Sequence, residues 1–385
     1  MSALKPNLIL LGASGSIGTQ VLSVVDHLQN ARLVAISVGK NIARCEEIIV
    51  KYHPIFVCVE QEEDATLLQK KYPSIQYGWG EEGLLAAASF QEDGGLFVNA
   101  LVGMVGLKPT LRAIAKKRTI LLANKETLVV AGEIVMRQAK EAGVALIPID
   151  SEHSAILQCL GNHPHQEVKR LIITASGGAL RHLTRNQLTS VTIEDVLKHP
   201  NWSMGKKITV DSATMVNKGL EVMEAHHLFQ IPYDQITTIL HPESIVHSLV
   251  EFKDHSILAQ MANPDMRIPI QYAMTYPKHV ESSVSQPLDL TTLHQLTFQP
   301  LDLKRYPCLA LAFEVGRAGG VLPAVYNASN EAAVALFLNH QIDFLAIETI
   351  IFDAVAQATN CLNPKIDDLI AISEQTKATI FQKYS

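Results

Sequence analysis

Two stretches of this 385-residue chain carry side chains whose types and spacing suit chemistry. The longer runs from Lys206 to His227 and holds Asp211-Ser212, Asn217-Lys218 and Glu221. Its Ile208–Val210 segment reads as a short β-run, and Asp211 and Ser212 then fall where a helix N-cap is expected. On the helix that follows, Asn217 and Glu221 are four apart and share a face, with Lys218 one step round. One helix start thus offers a hydroxyl, an amide, an ammonium and a carboxylate, where backbone N–H groups already favour anions. Ser212, Asn217 and Lys218 read as a phosphate cradle, and Glu221 as a metal ligand or acid. The competing reading is a capped, solvated helix.

The second stretch is Asp150-Ser151-Glu152-His153. If the strand before it continues, Asp150 and Glu152 point to one face, because strand side chains alternate. Two carboxylates on one face repel unless a cation or proton sits between them. With Glu221 as a third, the donor set is all oxygen, which selects Mg²⁺ or Mn²⁺ over zinc. The plainer reading is that Asp150 or Ser151 caps a helix beginning near Ser154.

Such groups need a scaffold, and the first 150 residues read as an α/β series. The run Asn7–Leu11 is a buried strand, followed by Gly12-x-x-Gly15-x-x-Gly18 and an amphipathic helix, the context of a dinucleotide fingerprint. The second strand, Leu33–Val38, ends in Gly39-Lys40-Asn41 rather than an acidic residue, which suits the 2′-phosphate of NADPH. Lys40 as a solvated loop lysine is the alternative. Strands at 55–59, 96–101, 119–123 and 144–149 alternate with helices at 62–71, 109–117 and 127–142, hence a mostly parallel sheet. Asn124-Lys125-Glu126 closes one of these strands, where ligands collect or a helix is capped.

Further on, the strand Arg170–Thr174 runs into Ser176-Gly177-Gly178, an anion nest or a plain turn. Residues 183–198 read as helix. His199-Pro200-Asn201-Trp202-Ser203-Met204-Gly205 places large apolar residues on a loop, the composition of a lid that excludes water. Segments 236–240, 245–252 and 256–261 read as strands of a mixed sheet. His241 and His247 read as structural, and His226-His227 cannot face one site from a helix. Residues 280–303 are Ser-, Pro- and Thr-rich, a linker, and from Cys308 helical patterns dominate, with Asn327–Glu331 starting one helix that braces the site.

Composition narrows the class. Hydrophobic content of 48% with 18% charged residues is globular, and a net charge of −6 argues against nucleic-acid or membrane-surface binding. Five scattered cysteines without a CxxC pair suggest a reducing, cytoplasmic setting and no thiol metal site. No apolar run reaches the roughly 18 residues of a membrane helix, and Leu8–Leu11 reads as a strand rather than a targeting peptide.

In order, the glycine loop, Gly39-Lys40-Asn41, Ala123–Glu126, Asp150-Ser151-Glu152, Ser176-Gly177-Gly178, His199–Gly205 and Asp211–Glu221 resemble the 1-deoxy-D-xylulose 5-phosphate reductoisomerase family along nearly the whole chain. The resemblance implies an NADPH- and divalent-metal-dependent oxidoreductase of the non-mevalonate isoprenoid pathway. It would rearrange that substrate to a branched aldehyde and reduce it to 2-C-methyl-D-erythritol 4-phosphate. By the same resemblance Asp150, Glu152 and Glu221 hold Mg²⁺ or Mn²⁺. Ser176, Ser212, Asn217 and Lys218 hold the substrate phosphate. Lys125, Ser151, Glu152 and His199 contact the substrate, with Lys125, Glu152 and His199 as the catalytic set, and Trp202 and Met204 close over it. Ser14, Gly15, Ser16, Ile17, Gly39, Lys40, Asn41, Asn124, Glu126 and Gly205 serve NADPH. Ala13-Ser14 departs from the family's usual Ser-Thr or Ala-Thr but keeps the hydroxyl.

The expected architecture is a Rossmann-like NADPH domain (1–150), an α+β catalytic and dimerisation domain with a mixed sheet (151–279), a linker (280–303) and a C-terminal helical bundle (304–385). A homodimer is implied by the resemblance. The rival reading is another NADPH-dependent dehydrogenase of a small phosphorylated substrate, disfavoured by three carboxylates, a phosphate cradle and the lack of a motif cysteine. A cofactor-sensing regulator on a retired scaffold is disfavoured by intact Asp150, Glu152, Glu221 and Lys218.

Overall fold

The structure, a computed structural model, describes residues 5–91 and 93–384. Residues 1–4 and 385, at the ends of the expected domain ranges, lie outside the described residues. The chain divides into two compact units: 1–127, 134–154 and 265–286 form one, and 128–133, 155–264 and 287–385 the other.

The first unit is built on a seven-stranded parallel sheet. Its strands are β1 (Asn7–Leu11), β2 (Arg32–Ser37), β3 (Phe56–Val59), β4 (Gln76–Trp79), β5 (Leu96–Asn99), β6 (Thr119–Leu122) and β7 (Leu146–Pro148), in the order β4-β3-β2-β1-β5-β6-β7. Helices α1 (Ser16–Leu28), α2 (Ile42–Tyr52), α3 (Glu62–Lys71), α4 (Gly80–Ala88) and α5 (Leu107–Ala115) follow the strands, joined by α6 (Glu126–Ala142) apart from 128–133 and by the first four residues of α7 (Ser151–Leu160). Leu8, Ile9, Leu10 and Leu11 are wholly buried, as a central strand covered on both faces requires. Strand order reverses between β1 and β5, so the crevice for a ligand lies beyond their carboxyl ends. This is a Rossmann-like sheet.

The second unit holds a mixed five-stranded sheet of β8 (Val168–Ala175), β9 (Ile236–Leu240), β10 (Val246–Phe252), β11 (Ile257–Met261) and β12 (Gln299–Pro300), ordered β11-β10-β8-β9-β12. Only β8 and β9 pair in parallel; the other neighbours are antiparallel. Between β8 and β9 run α8 (Ile193–Leu197), α9 (Lys206–Thr214) and α10 (Val216–Phe229). After β11, α11 (Arg267–Thr275) belongs to the first unit. The last four helices are α12 (Pro307–Ala318), α13 (Leu322–Leu338), α14 (Phe344–Gln357) and α15 (Ile366–Tyr384). They share one apolar core with the sheet and α10: Leu171, Ile173, Leu220, Met223, Ala312, Ile347 and Ile351 belong to a single buried cluster.

Four local expectations change. Ile208–Val210 is helical, inside α9, because burial of Thr209, Val210 and Ala213 outweighs the β preference of three branched residues. Asp211 and Ser212 therefore close α9 instead of capping the next helix. Residues 183–198 are not one helix: a 3₁₀ turn (Arg185–Ser190) and α8 each restart at a capping box, Thr184 with Gln187 and Thr192 with Asp195. Asn327–Glu331 lies within α13 rather than at its start. Finally, α7 starts at Ser151, where the Ser154 N–H donates to the Asp150 carbonyl at 2.8 Å, so strand alternation does not relate Asp150 to Glu152.

Candidate functional site

In the first unit the sequence places a glycine loop at the end of β1 because two backbones must pass there. A Cβ on Gly12 would sit 2.5 Å from the Ala100 carbonyl oxygen, and one on Gly18 would sit 2.2 Å from the Gly12 carbonyl oxygen. The Gly12 N–H donates to Ser37 Oγ at 2.9 Å and the Ala13 N–H to the Ser37 carbonyl at 2.8 Å, tying this loop to the end of β2. No side chain hydrogen-bonds to cap α1, whose Gly15–Ser16 start is exposed, as an anion-accepting helix start requires. Ser14, Gly15, Ser16 and Ile17 thus line one loop, and Gly39, Lys40 and Asn41 the next. Lys40 is exposed, 3.6 Å from Glu60, and Asn41 Oδ1 caps α2 by accepting from the Arg44 N–H at 3.1 Å.

Asn124 and Glu126 do a different job from the loop residues around them. Asn124 is fully buried; its Nδ2 donates to the carbonyls of Leu101 (3.0 Å) and Gly103 (2.8 Å). Glu126 Oε1 accepts from the Gly103 N–H at 3.3 Å. Asn99, which the sequence reading passed over, donates to the Gly106 carbonyl at 3.0 Å and Thr110 Oγ1 at 2.8 Å. These groups hold the loop after β5 beside the glycine loop. Asparagine closing a buried strand was the available signal.

Lys125 and Asp150 form a nearly buried ion pair, and Asp150 Oδ2 lies 3.9 Å from His153 Nδ1. Burial alone would raise the Asp150 carboxyl, but the Lys125 ammonium and His153 hold it well below the usual carboxylate range. Ser151 Oγ donates to Glu152 Oε2 at 2.5 Å in the first turn of α7. Two carboxyl groups and a hydroxyl at one helix start are a hard donor set, fit for Mg²⁺ or Mn²⁺.

The second unit holds the groups expected to bind an anion. Ser176 follows β8, and its Oγ accepts from the Gly178 N–H at 3.2 Å. His199 Nε2 lies 3.1 Å from the same Oγ. His199 Nδ1 accepts from the backbone N–H groups of Asn201 (3.2 Å) and Trp202 (3.0 Å). An N–H group only donates, so Nδ1 carries the lone pair and Nε2 the proton, which it donates to Ser176. Burial, then the Arg181 guanidinium, pushes the His199 imidazole down to about 4, consistent with this neutral tautomer. A Cβ on Gly178 would meet Ala213 Cα at 2.7 Å and the Ser212 carbonyl oxygen at 2.8 Å. The Ser176 turn and the end of α9 therefore abut main chain to main chain.

Met215, at φ 62°, breaks α9 from α10. Two residues on, Asn217 Nδ2 donates to Glu221 Oε1 at 2.5 Å, and Lys218 pairs with Glu221 Oε2. The expected shared face is present, with Glu221 and Lys218 both buried. Asp211 is held by Lys207 at 2.8 Å and by Asn330 Nδ2 at 2.8 Å, so α13 braces α9 from its middle. Trp202 and Met204 are half-buried on an irregular loop, Trp202 with its ring 6.0 Å from that of His247. Gly205 opens α9 and belongs to this unit, unlike the other expected cofactor residues. His241 is wholly buried with both ring nitrogens bonded to main chain, and His226 stacks on Tyr233 at 4.2 Å; both are structural.

Comparison with known proteins gives one answer. Family models described as 1-deoxy-D-xylulose 5-phosphate reductoisomerase match residues 8–132, its C-terminal domain 146–229, and a DXP reductoisomerase C-terminal domain 261–379. The chain is 51% identical over 378 residues to 1-deoxy-D-xylulose 5-phosphate reductoisomerase 2 of Bacillus cereus (strain ZK / E33L), covering 98% of this chain and 99% of that protein. It is 51% identical over 373 residues to the 1-deoxy-D-xylulose 5-phosphate reductoisomerase of Halalkalibacterium halodurans, covering 96% and 97%. A crystal structure of DOX-P reductoisomerase in complex with NADPH, fosmidomycin and magnesium superposes with a TM-score of 0.93 at 35% identity, covering 98% of both chains. The Zymomonas mobilis enzyme in complex with NADPH gives 0.91 at 37% identity, covering 99% and 100%. The rival dehydrogenase reading finds no comparable support. This chain belongs to the 1-deoxy-D-xylulose 5-phosphate reductoisomerase family.

Proposed function

We propose that the protein rearranges and reduces 1-deoxy-D-xylulose 5-phosphate to 2-C-methyl-D-erythritol 4-phosphate, an oxidoreductase step toward isoprenoid precursors by the non-mevalonate route. What carries the reading is the coexistence, in a chain of this family, of the β1 glycine loop and the Ser176–His199–Ser212 hydroxyl turn. Ser14, Gly15, Ser16, Ile17, Gly39, Lys40, Asn41, Asn124, Glu126 and Gly205 serve NADPH, Asn124 and Glu126 through the loop they hold. Asp150, Glu152 and Glu221 hold Mg²⁺ or Mn²⁺. Ser176, Ser212, Asn217 and Lys218 bind the substrate phosphate; Lys125, Ser151, Glu152 and His199 contact the rest of the substrate, and Trp202 and Met204 cover it.

NADPH supplies the hydride and the metal supplies Lewis acidity toward neighbouring substrate oxygens. The chain's own groups do the remainder. Lys125 keeps Asp150 charged. Neutral His199 occupies one lone pair of Ser176 Oγ, leaving the serine proton for a phosphate oxygen. Phosphate held away from the reacting carbons orients them, and the Trp202–Met204 loop excludes water from a reactive aldehyde. Glu152 or a nearby base moves the hydroxyl proton.

Functionally the chain divides into an NADPH domain (1–150), a catalytic and dimerisation domain (151–279), a linker (280–303) and a supporting helical domain (304–385). We place it in the cytoplasm as a homodimer. The exposed Ile257 and Leu258 on edge strand β11 support pairing of two copies. Among the described residues no helix is long and apolar enough to cross a membrane. The test is NADPH oxidation by the purified protein with 1-deoxy-D-xylulose 5-phosphate, in Mg²⁺, in Mn²⁺ and in chelator. Metal-dependent oxidation is expected; none with either metal, despite demonstrated NADPH binding, retires the reading.

A further inference from the structure

We infer that Asn201 is a positioning residue, whose side-chain amide anchors the covering loop to the turn between β9 and β10. The inference rests on the function proposed above, in which Trp202 and Met204 cover the substrate. Three segments of the second unit meet here: the loop itself, the His241–Ser244 turn, and Thr297–Phe298. Asn201 Nδ2 donates to the Pro242 carbonyl at 2.5 Å and to Ser244 Oγ at 2.8 Å. A carbonyl only accepts, so the amide orientation is fixed and both of its protons are engaged. The Asn201 main-chain N–H adds a bond to His199 Nδ1 at 3.2 Å.

The receiving turn is itself pinned. His241 Nδ1 donates to the Thr297 carbonyl at 2.9 Å, and Nε2 accepts the N–H groups of Ile245 (3.1 Å) and Val246 (3.0 Å). The Phe298 ring stacks on His241 at 4.8 Å, and the Thr297 N–H donates to Glu243 Oε2 at 3.2 Å. Ser244 sits at φ 54°, a left-handed conformation that a serine keeps only where its surroundings over-determine it. A dock this constrained is preorganised.

Its consequence is a shortened loop. At the far end, the Gly205 carbonyl accepts the first bond of α9 from the Thr209 N–H at 3.1 Å. With Asn201 held and the Trp202 N–H bonded to His199 Nδ1 at 3.0 Å, only the Trp202 side chain, Ser203 and Met204 remain to rearrange between two fixed points. Ordering three residues over a ligand costs less conformational entropy than ordering a longer free segment. Asn201 thus acts on substrate binding through Trp202 and Met204.

The experiment uses the full chain with Trp79→Phe, leaving Trp202 as the one indole of the two in the sequence. Asn201→Ala, Asn201→Asp and Ser244→Ala are compared by KM and kcat for 1-deoxy-D-xylulose 5-phosphate, NADPH affinity, and Trp202 fluorescence anisotropy without substrate. Asn201→Ala and Asn201→Asp are expected to raise KM about tenfold, with kcat changed less than about threefold, NADPH affinity unchanged and anisotropy lowered. Ser244→Ala, which keeps the Pro242 bond, is expected to raise KM about threefold. An Asn201→Asp protein that matches the parent in KM and anisotropy overturns the inference, since a carboxylate cannot donate. So does a fall in kcat at constant KM, the mark of a smaller folded fraction. Should the parent turn over no substrate, the proposed function fails while the anisotropy still decides the anchor: lowered, it stands; unchanged, it falls.

Discussion

The two units solve the same problem, holding a polar site in a buried setting, with different chemistry. In the first, the loops beyond β1 and β5 are fixed mostly by neutral groups, with Asn99, Asn124, Thr110 and Thr127 buried and engaged with main chain or with each other, the Glu126 carboxyl beside them and the Lys125–Asp150 ion pair set apart beyond β7. In the second, charge pairs with at least one buried member do the work: Lys218 with Glu221, both buried, Lys207 with buried Asp211, and half-buried Arg185 with buried Glu348 at 2.7 Å. Neutral networks fix geometry and are indifferent to pH. Charged ones fix geometry and also create a field, at the price of sensitivity to the loss of either partner. A cofactor bound mainly through main chain suits the first; an anionic substrate suits the second.

Breaking a charge should therefore have the largest effect. Glu221→Gln removes a proposed metal ligand and the carboxylate facing Lys218 and Asn217. We expect kcat/KM to fall by about 10³-fold at saturating metal, with NADPH affinity unchanged by calorimetric titration. A parallel fall in NADPH affinity would erase the distinction between the units. Next comes the main-chain contact in the first unit. Gly18→Ala drives a Cβ to 2.2 Å from the Gly12 carbonyl oxygen. The expected results are an NADPH affinity lower by about tenfold or more, a stability loss of about 1–3 kcal/mol by denaturant titration, and metal affinity unchanged.

The smallest effect concerns pH. The imidazoles of His199 and His227 are pushed down, chiefly by burial, from 6.5 to about 4 and about 3. The unfolded chain then takes up protons that the folded chain refuses. Stability from this source is complete above pH 6.5 and is lost as pH falls from there toward 4 for His199 and toward 3 for His227. Urea midpoints measured across that window should decline, and His227→Leu should flatten part of the decline. A midpoint constant over the window would mean that neither ring is held neutral.

The same contrast governs what the sequence reveals. The strand–loop–helix periods of the first unit give β1, β2, β3, β5 and β6 within a residue or two, because local pattern and burial agree there. The Gln76–Ala88 hairpin of β4 and α4 escapes that reading. Gly78 and Gly83 let two backbones touch, a Cβ on Gly78 lying 2.8 Å from Gly83 Cα, and glycine chosen for close approach looks like a loop in sequence. In the second unit the i, i+4 relation of Asn217 and Glu221 is legible because a helix makes it local. The nature of α9 is not, since Thr209, Val210 and Ala213 are set by burial among distant residues. Asn201 stands within a quoted motif, yet its partners lie about forty residues on, at Pro242 and Ser244, and no local pattern announces them.

The contact between Gly178 and the Ser212–Ala213 main chain has a consequence for ligand choice. Two peptide backbones in direct contact leave no compressible layer of side chains between Ser176 and Ser212. Their separation behaves as a fixed gauge. Substitutions in the surrounding core will change how firmly the gauge is held before they change its width. If it cradles the substrate phosphate as proposed, such a gauge sorts tetrahedral anions by their radius rather than adapting to them.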